Sequence, residues 1–335
     1  MRALFRDLWV SFLMGLVVPG ILLNLGCIYL SRPEKTIVFS SPMEAADTVF
    51  VRRGRVSLPV LLRSDAGEVT QMDMDAYLVG VVLAEMPASF ETEALKAQAV
   101  VARTYARKAW ITGGKHGDGS VCTQSNCCQA YRSEDIYLAG GGTWENLQKV
   151  QNAVSATSGC VLMYGGDLIE ATYFSCSGGS TEDACAVWGT DFPYLRAVSS
   201  PGEEDALYYT DTTVFSPEEF ARRLGISLSG ASGSWISGIT YTSGGGVDMM
   251  HICGKAFRGT ELRSLLGLRS TAISIVASPE EVRITTRGFG HRVGMSQYGA
   301  DAMAATGSTW EEILAHYYQG AEPVYLPSDE TDREL

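Results

Sequence analysis

Residues 77–87 read YLVGVVLAEMP, an apolar run that ends in a glutamate and a proline. Asp73 carries a side chain suited to capping the start of a helix. Pro87 disfavours helical backbone at the residue before it, so a helix has to end there. The pattern therefore predicts a helix from Met74 to about Glu85.

The predicted helix presents Glu85 among hydrophobic groups. Glu85 follows Val81 by four residues and Tyr77 by eight, so all three share one helix face. Loss of solvent and the negative end of the helix dipole both raise the pKa of such a carboxyl group. A general acid for glycosidic cleavage needs this raised pKa to hold a proton near neutral pH. On this pattern alone, an ion pair with Lys96 or Arg103 is the simpler interpretation.

The segments on either side mix helices with hairpins. A second helix is predicted over Glu91 to about Lys108, because Leu95, Ala99, Ala102 and Ala106 recur at helical spacing. The other predicted elements are hairpins formed by Val49–Val51 with Val56–Leu62 and by Val161–Tyr164 with Leu168–Phe174, strands Ile236–Tyr241 and Val247–Cys253, and helices Gln148–Ala156, Pro217–Leu224 and Gly259–Leu266. This order contains no βα repeat, so we expect an α+β fold with a mixed helix and antiparallel-sheet ectodomain.

The composition of the chain indicates which ligands are unfavourable and whether the chain is attached to a membrane. The chain has 335 residues and a formal net charge of −12, which disfavours nucleic acid as a ligand. Leu8 to Leu30 is an uncharged, mostly apolar run long enough to cross a bilayer. We expect a short cytoplasmic tail over 1–7, a single-pass anchor over 8–30 and a linker over 31–47. A signal peptide that is cleaved remains the alternative.

Four metal-ligand side chains lie within a span of 13 residues: His116, Cys122, Cys127 and Cys128. Four nitrogen and sulfur ligands suit a closed, tetrahedral zinc site. Adjacent cysteines reach one metal only if the chain turns between them, and disulfide formation is the competing interpretation. Cys176 and Cys185 are spaced so that they could form a bridge, whereas Cys160 and Cys253 fit small core residues.

Six segments in order along the chain resemble the stage II sporulation protein D family. These segments are 77–87, 93–106, 173–179, 199–201, 288–300 and 316–320. The resemblance implies a catalytic ectodomain over 48–325 with a substrate groove, followed by a disordered tail over 326–335. Residues 203–285 fit an inserted subdomain.

The family resemblance also implies an activity. It implies a peptidoglycan lytic transglycosylase that cuts denuded glycan strands between MurNAc and GlcNAc, leaving 1,6-anhydroMurNAc ends, during spore engulfment. Glu85 would be the catalytic acid, and one carboxylate suffices because the sugar's own C6 hydroxyl replaces water. The cysteine and histidine spacing is similar to a zinc site of some family members, with Cys127 standing where they have histidine.

Further residues are assigned to the substrate groove by their places in the family motifs. They are Gln129, Tyr173, Ser175, Ser177, Gly178, His291, Ser296 and Gln297, with Lys96 and Arg103 either orienting Glu85 or binding an acetamido group. For His291 and Gln297 a purely structural role is an equal alternative. Gly288, Gly290, Gly294 and Gly299 suit a loop whose backbone approaches the sugar closely.

Partners and location follow only from the resemblance. It implies stage II sporulation proteins P and M as partners. It places the ectodomain on the outer face of the mother-cell membrane, towards the space between mother cell and forespore. The competing function is a glycan-binding activator of a partner amidase. A zinc hydrolase fits poorly because the predicted cluster leaves no open metal position.

Overall fold

A computed structural model describes residues 58–326 of the chain. The α-helices in this range are α1 (Met74–Glu85), α2 (Thr92–Thr112), α3 (Glu134–Ala139), α4 (Trp144–Ala156), α5 (Ala184–Trp188), α6 (Pro217–Leu224), α7 (Gly259–Leu266), α8 (Gln297–Ala305) and α9 (Trp310–Tyr317). The strands are β1 (Pro59–Arg63), β2 (Val69–Asp73), β3 (Ser120–Cys122), β4 (Cys160–Tyr164), β5 (Asp167–Leu168), β6 (Tyr173–Phe174), β7 (Gly179–Ser180), β8 (Ser199–Ser200), β9 (Thr210–Phe215), β10 (Ile236–Tyr241), β11 (Val247–Ile252), β12 (Lys255–Arg258), β13 (Ala272–Ala277), β14 (Val282–Arg287), β15 (Met295–Ser296) and β16 (Glu322–Tyr325). Helices and mostly antiparallel sheets alternate without a repeating unit, so the mixed α+β class is confirmed.

The larger hydrophobic core surrounds α2. This helix contacts α1, α4, α8, α9 and strand β4, and its small-residue face is fully buried. The predicted α1 is confirmed at both ends, with the Asp73 side chain accepting a hydrogen bond from the Ala76 backbone N–H. Helix α2 runs four residues beyond the predicted Lys108 and ends at Gly113, whose left-handed backbone terminates it.

The first sheet contains strand pairings that the sequence analysis did not predict. Val49–Val51 of the predicted first hairpin lies outside the described residues, and β1 pairs with β2, antiparallel, and with β3, parallel. A turn closed by a hydrogen bond from the Gly67 N–H to the Ser64 carbonyl supplies the reversal. The parallel pairing brings Cys122, at the end of β3, beside β1.

A second hydrophobic core lies entirely within residues 215–284. It is built from β9, the β13–β14 pair, the β10–β11–β12 sheet and two helices. The predicted helices α6 and α7 have the expected bounds, and α6 begins with Ser216 as its cap and Pro217 at its first position. The two predicted strands are present as β10 and β11, and they pair with each other, antiparallel.

The expected long strand Leu168–Phe174 is split in two. Strand β5 pairs with β4, and the chain then leaves that sheet so that β6 pairs in parallel with β15. The pairing brings the 173–179 and 288–300 motifs side by side. No helix within residues 58–326 is long and apolar enough to cross a membrane, and the predicted anchor over 8–30 lies outside the described residues.

Candidate active site

A groove of about 740 Å³ opens beside the C-terminal end of α1. Six of the residues predicted for catalysis or substrate binding line it: Glu85, Gln129, Tyr173, Ser175, His291 and Gln297. One wall comes from residues 125–129, which include Cys127 and Cys128, and the other comes from the paired β6 and β15 regions. The fold thus brings together side chains that are more than 200 positions apart in sequence.

Glu85 is the carboxylate of this groove. It is half-buried at the last position of α1, and its Oε1 accepts a hydrogen bond of 2.6 Å from the Ala130 backbone N–H. Burial raises the pKa of Glu85 above its ordinary value, whereas the Ala130 N–H and the Tyr173 hydroxyl lower it by stabilising the charged form. Burial has the larger effect, so the carboxyl group holds its proton more tightly than an exposed glutamic acid does.

A chain of hydrogen bonds fixes the groups around Glu85. The Tyr77 hydroxyl donates to Gln129 Oε1 at 3.0 Å, and Gln129 Nε2 donates to the Tyr173 hydroxyl at 3.3 Å. The Tyr173 hydroxyl in turn faces Glu85 and stabilises its charged form. Gln129 is almost fully buried and its amide contacts both tyrosines, so it orients Tyr173. Glu85 is therefore hydrogen-bonded within a pre-arranged set of donors.

Gly80 explains how the segment that carries Ala130 reaches Glu85. A Cβ atom at Gly80 would lie 2.3 Å from the ring of Tyr131. Without that atom, Tyr131 packs on α1 and stacks on Tyr77 with ring centroids 5.8 Å apart. The Arg132 N–H also donates to the Gly80 carbonyl at 3.0 Å. These contacts hold the adjoining Ala130 N–H against the carboxylate.

Ser177 and Gly178 contact a buried carboxylate and do not line the groove. Glu203 Oε2 accepts hydrogen bonds from the Ser177 N–H at 2.6 Å, the Ser177 hydroxyl at 3.0 Å and the Gly178 N–H at 3.1 Å. Ser296 is also buried, where its hydroxyl accepts from the Gly299 N–H and caps α8. These three residues therefore support the fold next to the groove and do not line it.

Lys96 and Arg103 contact other groups instead of Glu85 or the groove. Lys96 forms an ion pair of 2.6 Å with Glu93. Arg103 is fully buried, lies 3.0 Å from Asp75 and donates to the carbonyls of Val154 and Cys160. It therefore ties α1, α4 and β4 together, which gives it a structural role in the core.

The glycines of the 288–294 loop permit close contacts with neighbouring protein, and Gly290 also lines the groove. A Cβ at Gly294, whose φ is +82°, would lie 2.2 Å from the Thr172 carbonyl oxygen. Cβ atoms at Gly288 and Gly290 would clash with Ser177 and Phe174. The loop therefore packs closely against the strand that carries Tyr173.

His291 and Gln297 line the groove but have protein partners. His291 Nδ1 accepts from the Val293 N–H at 3.1 Å, and burial lowers the pKa of the ring to about 4, so it is neutral at pH 7. Gln297 Nε2 lies 3.4 Å from Gln98 Oε1. The structure also adds Trp188 to the groove. The sequence analysis missed it because a single tryptophan outside the family motifs gives no local signal.

The four predicted metal ligands converge at the edge of the groove. Their ligand atoms lie within 4.8 Å of one another. Cys128 Sγ is 3.5 Å from His116 Nε2, and Cys127 Sγ is 3.8 Å from the same nitrogen and 3.9 Å from Cys128 Sγ. A tetrahedral zinc with ordinary bond lengths would separate two sulfurs by about 3.8 Å and a sulfur from a nitrogen by about 3.5 Å. The donor set and its spacing fit such an ion.

A turn allows the adjacent Cys127 and Cys128 to face one point. Both backbone N–H groups donate to the Gln124 carbonyl, at 3.0 and 2.8 Å. The cysteines within residues 58–326 are free thiols. The bridge that the spacing of Cys176 and Cys185 allowed is not formed in this part of the chain, and the Cys176 thiol donates to Glu203 at 3.1 Å.

The chain is similar in sequence to known proteins over most of its length. A family model described as stage II sporulation protein matches residues 63–164. Stage II sporulation protein D of Bacillus subtilis is 38% identical over 295 residues, covering 86% of this chain and 84% of that protein. The chain belongs to the stage II sporulation protein D family. The Bacillus amyloliquefaciens member is 39% identical over 277 residues, covering 81% of this chain and 80% of its own length.

A further similar protein has a different name. A Bacillus subtilis protein named amidase enhancer is 30% identical over 299 residues, covering 72% of this chain and 39% of that relative's length. In this member of the stage II sporulation protein D family, the family-model match contains Glu85, Gln129 and the cysteine cluster. Tyr173 and His291 lie beyond the match, on the opposite wall.

Proposed function

We propose that the chain is a peptidoglycan lytic transglycosylase acting during spore engulfment. It would cleave denuded glycan strands between MurNAc and GlcNAc and leave 1,6-anhydroMurNAc ends. The observation that carries the proposal is that Glu85, with its raised pKa, is the only aspartate or glutamate among the described residues that line the groove. A hydrolase of the usual type needs a second carboxylate to activate water or attack the sugar.

One carboxyl group suffices if the substrate supplies its own nucleophile. Protonated Glu85 gives its proton to the glycosidic oxygen as the bond to C1 of MurNAc breaks. The resulting carboxylate takes the proton of the C6 hydroxyl, and O6 bonds to C1 to close the anhydro ring. The two donors on Glu85, the Ala130 N–H and the Tyr173 hydroxyl, stabilise the carboxylate between these steps.

The test is product analysis with purified full-length protein and denuded glycan strands. Wild-type protein should yield anhydro ends detectable by mass spectrometry, and Glu85→Gln should yield none while keeping its thermal midpoint. Glu311→Gln removes an exposed carboxylate on α9 and should leave the yield unchanged. Undiminished anhydro product from Glu85→Gln would refute the assignment.

A second candidate function rests on the relative named amidase enhancer. In this alternative the chain binds glycan and activates a partner amidase with little turnover of its own. A purified amidase assayed with Glu85→Gln separates the two functions. Full enhancement by that variant, together with no anhydro product from wild type, would favour the activator role.

We propose zinc as the ion held by His116, Cys122, Cys127 and Cys128. Four protein ligands fill a tetrahedral ion, so its role would be structural. Because Gln129 directly follows Cys128, the ion would stabilise the segment that orients Tyr173 and supplies the Ala130 N–H. Elemental analysis of the purified protein should find about one zinc per chain.

Membrane attachment and partners are also proposed. Residues 8–30 would anchor the chain in the mother-cell membrane with the ectodomain outside, and stage II sporulation proteins P and M would be its partners. Removing residues 1–30 should release the protein from the membrane fraction. Co-purification from sporulating cells would test the two partners.

A further inference from the structure

Trp188 presents an open aromatic surface to the groove. It is the last residue of α5, which ends at Gly189 with a left-handed backbone. The side chain lines the groove and 42% of the residue is exposed. An indole left open to solvent loses the free energy that its burial would provide. A ligand that covers it recovers that free energy.

His291 and Phe174 support the indole from behind. The His291 ring lies 5.3 Å from the Trp188 ring, centroid to centroid, at 55°. Phe174 meets His291 edge-on at 5.6 Å and 63°. His291 is itself fixed by the Val293 N–H on Nδ1. The tryptophan thus has a rigid aromatic backing on the wall that carries Tyr173, which limits the entropy lost when a ligand binds.

We propose that Trp188 is a stacking platform for one pyranose ring of the glycan strand. This inference rests on the proposed function and names a binding subsite within it. A pyranose ring has an apolar face of C–H groups and a polar rim of hydroxyl and acetamido groups. An indole offers the matching combination of an apolar face and one N–H donor. Ligand sites typically combine such aromatic surfaces with a few placed polar groups.

The exposed area sets the size of the expected effect. A tryptophan side chain offers roughly 250 Å², so 42% exposure leaves roughly 100 Å² open. Covering about half of that area with a sugar ring corresponds to about a tenfold change in Kd. Trp188→Ala should therefore weaken glycan binding about tenfold. Trp188→Phe, which keeps a smaller ring, should weaken it by about threefold.

The experiment measures binding, not turnover. Full-length protein carrying Glu85→Gln is titrated calorimetrically with denuded glycan fragments and with chitin hexaose, with and without Trp188→Ala. Trp144→Ala is the matched control, because Trp144 is 73% exposed at the start of α4 and does not line the groove. Its Kd should not change.

The outcomes separate this inference from the proposed function. A Kd that Trp188→Ala leaves unchanged overturns the inference, and so does an equal loss in Trp144→Ala. If Trp188→Ala lowers the thermal midpoint, the Phe variant decides the question, and a Kd equal to that of the parent overturns the inference. Glycan that binds through Trp188 while wild-type protein makes no anhydro ends supports the subsite and refutes the transglycosylase.

Discussion

The Tyr173→Phe substitution tests how the structure sets the proton affinity of Glu85. The phenol lowers the pKa of Glu85 by stabilising its charged form, and it accepts from Gln129 Nε2 at 3.3 Å. Removing the hydroxyl keeps the ring but deletes one of the two donors that stabilise the carboxylate. The pKa of Glu85 must then rise, because burial still opposes the charged form.

The size of the shift follows from the lost bond. A hydrogen bond to a charged group contributes about 1.5–3 kcal/mol, and one pKa unit corresponds to about 1.4 kcal/mol. Because Glu85 is half-buried, the lower end of that range applies. Activity falls as pH rises through the pKa of Glu85, since the acid must be protonated for the first step. We therefore expect the alkaline limb of the kcat/KM profile to move up by about one pH unit in Tyr173→Phe.

The assay follows anhydro-product formation from denuded strands across pH 4–9, a range chosen to bracket the pKa of a free glutamic acid of about 4.3. Tyr194→Phe is the control, because the Tyr194 hydroxyl accepts from the Glu170 N–H at 2.9 Å outside the groove lining. That variant should leave the profile in place. An alkaline limb that stays fixed in Tyr173→Phe, or moves to lower pH, would show that this hydroxyl does not stabilise the Glu85 carboxylate.

Three further substitutions test a close packing contact, a metal ligand and a buried ion pair. Gly80→Ala puts a Cβ against Tyr131, so we expect about 1–3 kcal/mol of destabilisation in urea unfolding and a lower kcat as the neighbouring segment shifts. Unchanged stability would contradict the close approach. Cys122→Ser should reduce bound zinc from about one per chain to near zero by elemental analysis, and an unaltered zinc content would remove this thiol from the ligand set. The Arg292 guanidinium lies 3.1 Å from Glu182, and both side chains are buried. Arg292→Met leaves that carboxylate with only the neutral donors of Thr242 and Gly246 and should cost about 3–5 kcal/mol in the same urea assay. The double change with Glu182→Gln should recover part of that loss, and no recovery would argue against the pairing.

Local signals in the sequence predicted the elements that depend on neighbouring residues. Helix α1 has its expected bounds because Asp73 and Pro87 act on the backbone within a few positions of themselves. Helix α6 was predicted for the same kind of reason, from Ser216 as its cap and Pro217 at its first position. The metal-ligand cluster was also visible, since its residues span a short segment and the turn at Gln124 is local.

Contacts between distant segments could not be predicted in this way. From the sequence, Ser177 and Gly178 belong to a polar loop. Only the fold shows that their backbone N–H groups donate to Glu203, which follows them by 26 and 25 positions. Arg103 was a candidate partner for Glu85, yet its guanidinium reaches Asp75, near the start of the same helix that ends at Glu85. Trp188 could be recognised as a groove residue only from the fold, which places α5 beside His291.

The opposing effects on Glu85 are themselves an argument for the two-step chemistry. Strong burial alone would hold the proton too tightly for release, and strong hydrogen bonding alone would leave the group ionised near neutral pH. A group that first gives and then takes a proton works best when its pKa lies near the operating pH. The structure combines burial of Glu85 with two donors, the Ala130 N–H on one side of the groove and the Tyr173 hydroxyl on the other. The Ala130 N–H belongs to the segment that follows the metal-ligand cluster. A change at that cluster should therefore reach the chemistry through the Ala130 N–H, and its effect should be seen in the pH profile as well as in stability.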